Sequence, residues 1–302
     1  MAYEFIRDGR EVMLEIVSGA DESISGLQVG NEKFVLMSSE EIEYIVVTLY
    51  GKEYLGFMRS NLLNSNVSLN PGDNVIVLES FDRGEDYIHA DVFELLRLFK
   101  SDAIFSCDFL SYKFVENKMH STGWGRIHEP YYCTTNYYKA YHLTDAEKTE
   151  FITWCKKYGD LRPQAFNKFF DNLLTDFQRT YKIALPNLSF IALFTILEMI
   201  FGTGNNEITY KISRGASLLL STNVDSMKAV FKQMKQLYKY RSEYVHSGKH
   251  IEDEHLIELR DIVRRTLLSI IDLGYHAPDK DVKELSESLT WGGRFLIPPS
   301  KQ

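Results

Sequence analysis

Apolar residues recur along this chain with two different periods, and the change falls before its midpoint. Up to about residue 115 the apolar runs are short and rich in Val, Ile, Leu, Phe and Tyr. Residues 11–17, 32–37, 43–50, 53–58 and 74–79 read as strands on that composition. Tyr50-Gly-Lys-Glu53 has the look of a tight hairpin connection, and Asn70-Pro-Gly-Asp73 supplies Pro and Gly for a turn. Phe93, Leu95, Leu96, Leu98 and Phe99 predict a short amphipathic helix over 91–100, with further strands at 104–108 and 112–116. The expected N-terminal domain is mainly β, of sandwich or barrel type.

Residues 117–143 are the least regular stretch. They hold His120, His128 and His142 and a tyrosine cluster at 131, 132, 137, 138 and 141. No pair of these histidines has compact ligand spacing, so no metal is expected there. The tyrosines would pack a linker or stack bases. From Thr144 the period is helical. Thr144-Asp-Ala-Glu147 is a capping box ahead of Phe151, Ile152, Trp154 and Cys155. Pro163 sits just inside a second helix running to about Tyr181. A third starts at Asn187 or Ser189, is apolar on nearly all sides, and breaks at Gly202. Helices over 208–221, 226–247 and 253–273 follow, then a break at Pro278, a short helix and an extended tail.

Within 226–247 one residue breaks the pattern. Met227, Val230, Phe231, Met234, Leu237, Tyr238, Tyr244 and Val245 form an apolar stripe, and Arg241 falls on it. An unpaired buried guanidinium is costly, so Arg241 needs a partner, an interface or a ligand. His246 lies in the last turn before Gly248, where carbonyls favour an imidazolium. A separation of five residues turns about 140° on a helix, so Arg241 and His246 do not project side by side, whereas Ser242 and His246 share a face. The bland reading is an Arg snorkelling from a core edge and a His at helix-end carbonyls. The chemical reading is a phosphate site: His246 as base or acid, Arg241 as a planar fork on the phosphate, Ser242 as an added donor. Glu198, alone in an apolar run, needs a cation, Arg241 or Arg214, and such a pair would orient the site from behind the reacting groups.

The segment Leu237-Tyr-Lys-Tyr-Arg-Ser-Glu-Tyr-Val-His-Ser-Gly248 resembles the signature of HEPN domains, and the Apea-like HEPN group in particular. Ile196-Leu-Glu198, Glu207-Ile-Thr-Tyr-Lys-Ile and Arg214-Gly-Ala-Ser-Leu-Leu-Leu are similar to the same group, and the likeness covers residues 187–273. This resemblance implies a helical nucleotide- and RNA-binding fold that cleaves RNA without a metal. It implies a homodimer through the helical domain, with Arg241 of one protomer acting with His246 of the other. It also implies a role in prokaryotic stress response or phage defence, with the N-terminal domain as sensor. Members that only dimerise, or only bind nucleotides or RNA, leave a non-catalytic module as the alternative.

Charge changes the picture in one region. The chain of 302 residues has a net charge of −8. Residues 211–250 carry eight Lys and Arg against Asp225 and Glu243, or +6, which leaves −14 for the rest. Lys228, Lys232, Lys235 and Lys239 line one helix face, either a solvated surface or, with Lys249, an RNA track. Cys107, Cys133 and Cys155 suit neither a metal nor a disulfide set and read as free thiols. No run is long enough to span a membrane, and the N-terminus has no signal-peptide pattern, so a cytoplasmic location is expected.

These observations predict an α+β chain: a β-rich regulatory domain over 1–142, a helical HEPN-like domain over 143–278, and a tail over 279–302. The expected activity is metal-independent RNA cleavage, with no cofactor and with tRNA among the candidate substrates.

Overall fold

The structure, a computed structural model, describes residues 11–63, 67–81, 92–116, 118–126, 140–158, 166–202 and 207–291. The chain is α+β and divides into two compact units, Met1–Asp160 and Leu161–Gln302.

Among the described residues the first unit is built on an antiparallel sheet of six strands: β1 (Glu11–Ser18), β2 (Gln28–Val29), β3 (Glu32–Ser38), β4 (Asn74–Phe81), β5 (Phe105–Val115) and β6 (Lys118–Arg126), in the order β2-β3-β4-β1-β5-β6. Alternation along β1 sends Val12, Leu14 and Ile16 to one face, and a register shift at Ile16/Val17 turns Val17 to the other. On the first face lie α1 (Ser39–Tyr50) and α2 (Lys52–Leu63), which bury Ile42, Ile45, Val46, Leu55 and Met58 against Val75, Val77 and Leu110. On the second lie α3 (Val92–Phe99) and α4 (Asp145–Tyr158), whose Phe93, Leu96, Phe151 and Cys155 pack with Phe34, Ile76 and Leu78.

This arrangement corrects the expected sandwich or barrel: among the described residues the strands form a single sheet, and helices lie on both of its faces. Residues 43–50 and 53–58 are helical, not extended. Ile-Val-Val-Thr favours a strand by local propensity, but Ile42, Ile45 and Val46 are buried at helical spacing. The start is set by a capping box, in which Glu41 Oε2 accepts the Ser38 N–H at 2.9 Å and Ser38 Oγ accepts the Glu41 N–H. Gly51, at φ 86°, stops that helix with its N–H on the Val47 carbonyl, where a hairpin was expected. The turn at 70–73 does form, closed by Asp73 N–H on Asn70 O at 3.0 Å. Strands at 104–108 and 112–116 are one strand, β5, and β6 occupies part of the stretch read as irregular.

The capping box at α4 is present: Glu147 Oε2 accepts the Thr144 N–H at 2.8 Å and Thr144 Oγ1 accepts the Glu147 N–H at 3.2 Å. Lys100 and Thr144 together hold the Glu147 carboxyl at a pKa of about 2. Because α4 buries Phe151 and Cys155 in the sheet's core, it belongs to the first unit, and the boundary lies at 160/161 instead of 142/143.

The second unit is all helical as described: α5 (Lys168–Thr180), α6 (Pro186–Phe201), α7 (Ile208–Leu220), α8 (Val224–Ser247), α9 (Asp253–Asp272) and α10 (Val282–Trp291). Asn167 caps α5 by accepting the Phe170 N–H at 2.8 Å, so this helix starts later than Pro163, which lies outside the described residues. α6 begins with Pro186, where the missing N–H costs nothing. It buries Phe190, Leu193, Phe194, Ile196, Leu197, Ile200 and Phe201 at the centre of the unit. α7 lies so close that a Cβ on Gly215 would meet the Phe201 ring at 2.4 Å. No helix among the described residues is long and apolar enough to cross a membrane.

Candidate functional site

The site rests on α8 and the helix it crosses, α6. Asn223 and Ser226 form a reciprocal cap at the start of α8, and Gly248, at φ 69°, ends it with its N–H on the Tyr244 carbonyl at 2.8 Å. Met234 and Leu237 are its buried residues. Arg241 follows Met234 by seven residues, within about 20° of it around the axis, so it points the same way.

Glu198 on α6 meets it there. Arg241 Nη2 lies 3.0 Å from Glu198 Oε1, with the two side chains 22% and 26% exposed. Tyr238, one turn back, places its ring 5.2 Å from the guanidinium carbon, and its hydroxyl accepts from Nη1 at 3.4 Å. Phe194 holds that ring edge-on at 5.3 Å. Arg241 Nε is buried with no hydrogen-bond partner. The sequence left two arginines open for Glu198, and the structure selects Arg241. Arg214 instead donates from Nη1 to the Leu289 carbonyl of α10 at 3.1 Å. It lines a cavity of about 320 Å³ with Glu207, Tyr210, Lys211 and Ser286. It does not join the Arg241 site. Tyr238 was legible only as an apolar residue, although its position three before Arg241 is the spacing of a helical neighbour.

His246 stands elsewhere on the same helix. Lys228, Lys232, Lys235, Lys239, Ser242 and His246 recur at steps of four, three, four, three and four. Lys228 and His246 are about five full turns apart and project in the same direction. The four lysines and His246 are exposed and Ser242 is half-buried. The residues grouped by motif thus separate into two sides of α8: Arg241 against α6, and a basic outer ridge ending in Ser242 and His246. Glu243 interrupts the charge, lying 3.7 Å from Lys239 and 2.7 Å from Lys249. The Lys249 ammonium holds the Glu243 carboxyl below its ordinary range, and Glu243 raises Lys249 in return. In chemical terms the ridge offers a row of cations and one imidazole, and the α6 side offers a guanidinium already held by a carboxylate.

The remaining candidates have structural partners or lie outside the described residues. His142 Nδ1 is 2.9 Å from Asp21 Oδ2, and His120 sits on β6. Among the described residues no group of three or more His, Cys, Asp or Glu could hold a metal ion. Cys107 and Cys155 are buried thiols outside any disulfide, and burial pushes the Cys155 thiol up to about 12. Tyr141 is a core residue whose hydroxyl donates to the Leu96 carbonyl at 2.7 Å. His128, Cys133 and the other four tyrosines of the cluster lie outside the described residues. No family model, no curated protein and no solved structure matches this chain.

Proposed function

We propose that this chain is a metal-independent endoribonuclease of the Apea-like HEPN type. One observation supports it above the others: an exposed ridge of four lysines runs along α8 and ends at Ser242 and His246. Such a ridge suits a phosphate backbone, and the imidazole at its end suits proton transfer near neutral pH. RNA brings its own nucleophile, the 2′-OH. In the proposed step the 2′-oxygen bonds to phosphorus as the bond to the 5′-oxygen breaks. A base takes the 2′ proton and an acid protonates the leaving 5′-oxygen, giving a 2′,3′-cyclic phosphate and a 5′-hydroxyl. His246 fills one of these roles. Arg241 offsets charge on the phosphorane once the phosphate displaces Glu198. Arg241 and His246 face different ways on one helix, so the reading calls for a second copy across the α6/α8 side. Val245, 53% exposed and one turn after Arg241, gives that side apolar surface to bury. RNA, tRNA included, is the proposed substrate, and phage defence or stress response in the cytoplasm the proposed setting.

The ion pair itself favours a second reading. Glu198 neutralises Arg241 and fixes α6 to α8, as it would in a non-catalytic module that dimerises or binds nucleotides or RNA.

Incubating total RNA and tRNA in EDTA with wild type, His246→Ala and Glu198→Gln separates the two. The nuclease reading expects cyclic-phosphate fragments from wild type, a loss of about 10²-fold or more in His246→Ala, and retained or raised cleavage in Glu198→Gln. Intact RNA in all three, with a dimer in sedimentation, would establish the non-catalytic reading.

A further inference from the structure

Glu207, Tyr210, Lys211 and Arg214 recur along α7 at steps of three, one and three, on the face opposite the buried Ile212, Ala216 and Leu219. A polar stripe of this kind usually faces water. Here it borders the cavity of about 320 Å³, which is also lined by Phe201 of α6 and by Ser286 and Leu289 of α10. Three helices of the second unit thus meet around it, and Gly215 sets how closely α7 approaches the Phe201 ring.

Charge is distributed unevenly along the stripe. Arg214 is tied to α10, its Nη1 donating to the Leu289 carbonyl at 3.1 Å, which orients the guanidinium and leaves Nε and Nη2 as its further donors. Lys211 stands three residues before it, about 4.5 Å back along the axis, so two cations share one end. Glu207 stands seven residues before Arg214, about 10 Å back. It holds a left-handed conformation at φ 59°, and its side chain makes no cap bond to the helix it starts. Such strain costs free energy and clusters at ligand sites. Two hydroxyls complete the lining. Tyr210 is 51% exposed with its ring edge-on to Phe231 of α8 at 6.0 Å, and Ser286 is 5% exposed.

These groups select a ligand by chemistry. Two cations on one face offset a doubly charged anion, and a guanidinium fork matches phosphate oxygens. A carboxylate at the other end repels a second anion and accepts from hydroxyl groups. The volume is near the lower end for ligand pockets, which suits a small molecule.

We infer that this cavity binds the phosphate monoester of a small polyhydroxy molecule, a sugar phosphate in class. Its phosphate lies on Lys211 and Arg214. Its hydroxyls donate to Glu207 and exchange hydrogen bonds with Tyr210 and Ser286. The site shares no residue with the Arg241 pair or the α8 ridge, and the inference does not depend on the nuclease reading.

Isothermal titration of the full chain with ribose 5-phosphate and glycerol 3-phosphate tests it, with ribose and inorganic phosphate as the separate halves. Saturable binding of at least one ester is expected, with ribose silent and inorganic phosphate at least about tenfold weaker. Lys211→Gln and Arg214→Gln should each weaken the ester about tenfold or more. Lys211→Gln leaves the Leu289 contact in place, so it carries the test if circular dichroism shows that Arg214→Gln disturbs the fold. Glu207→Ala should weaken the ester and leave inorganic phosphate unchanged or tighter. The Lys228→Gln/Lys232→Gln pair on the ridge should change neither. No binding of either ester would overturn the inference. So would loss of binding in the ridge pair with Lys211→Gln unaffected, which would assign the phosphate to α8. Equal affinity for inorganic phosphate and the esters would overturn the assignment of a hydroxylated ligand.

Discussion

The two units differ most in charge. Residues 1–160 hold 15 Lys and Arg against 26 Asp and Glu, or −11, while residues 161–302 hold 19 against 16, or +3. Their buried cations are handled alike. Arg97 of the first unit, 2% exposed, donates from Nε to the Ile104 carbonyl at 3.0 Å and lies over Phe105. Arg260 of the second, 0% exposed, donates to Ser189 Oγ at 3.0 Å and lies over Tyr181. Arg241 departs from both in exposure: it stays about one fifth exposed beside the Glu198 carboxylate. A guanidinium sealed in a core is bound to its structural role. One at the surface can exchange its carboxylate for a phosphate. The second unit therefore carries the charge balance that the proposed RNA contact needs.

The sharpest test of the contrast in packing uses two helical glycines. Gly215→Ala in α7 drives a methyl into Phe201 and should destabilise the second unit by about 2–3 kcal/mol. Gly56→Ala in α2 meets nothing within 4 Å and should stabilise the first by about 0.5–1 kcal/mol. Urea unfolding followed by circular dichroism reads both, and equal signs would break the comparison.

The contrast in charge predicts that Lys228, Lys232, Lys235 and Lys239 changed together to Gln flatten the salt dependence of single-stranded RNA binding. The expected loss is up to about 0.7 per lysine in slope, seen by filter binding across a salt series. A slope that does not change would move the RNA contact off α8.

Arg241→Ala should cost about 1–2 kcal/mol, because it strands a carboxylate that is mostly shielded from water. Adding Glu198→Gln should return much of it, and a double-mutant cycle measures the coupling. Additive losses would mean that the ion pair contributes nothing to the fold.

Cys155 should make the first unit sensitive to base. Its folded pKa, about 12, exceeds the ordinary thiol value, so the unfolded chain ionises first. Stability is complete below about pH 8.5 and falls by at most about 1.4 kcal/mol per unit as pH rises toward the folded value. Cys155→Ser should remove that slope. The smallest effect is at Glu147, whose carboxyl sits at about 2. Its stabilisation is present above the ordinary carboxylate range and is lost as pH falls toward 2. Glu147→Ala should cost about 0.5–1 kcal/mol at neutral pH and nothing in acid.

Much of the second unit was legible because its signals are local. Gly202 and Gly248 stop helices where the pattern stops, and a carboxylate at 198 in an apolar run demanded a cation. What the pattern could not decide was which arginine answered, since Arg214 and Arg241 stand on two other helices and spacing does not say which of them faces Glu198. In the first unit, residues 43–50 misled because their β-branched content suits a strand as well as a buried helix face. The capping box at Ser38 and Glu41 was the signal that could have separated the two. α4 was recognised as a helix from Thr144 and Glu147, but a cap says nothing about which core receives Phe151 and Cys155.

The sequence alone determined the α+β class, most helix limits, the place of Arg241 on a core-facing stripe and the lysine face of α8. Each follows from the fixed geometry of a helix or strand, which spacing encodes directly. Only the tertiary structure decided that the described sheet lies between two helix layers, that Glu198 closes on Arg241, and that Tyr54 meets Trp124. Those depend on contacts between residues far apart in the chain, where several partners satisfy the same burial and charge and only packing selects among them.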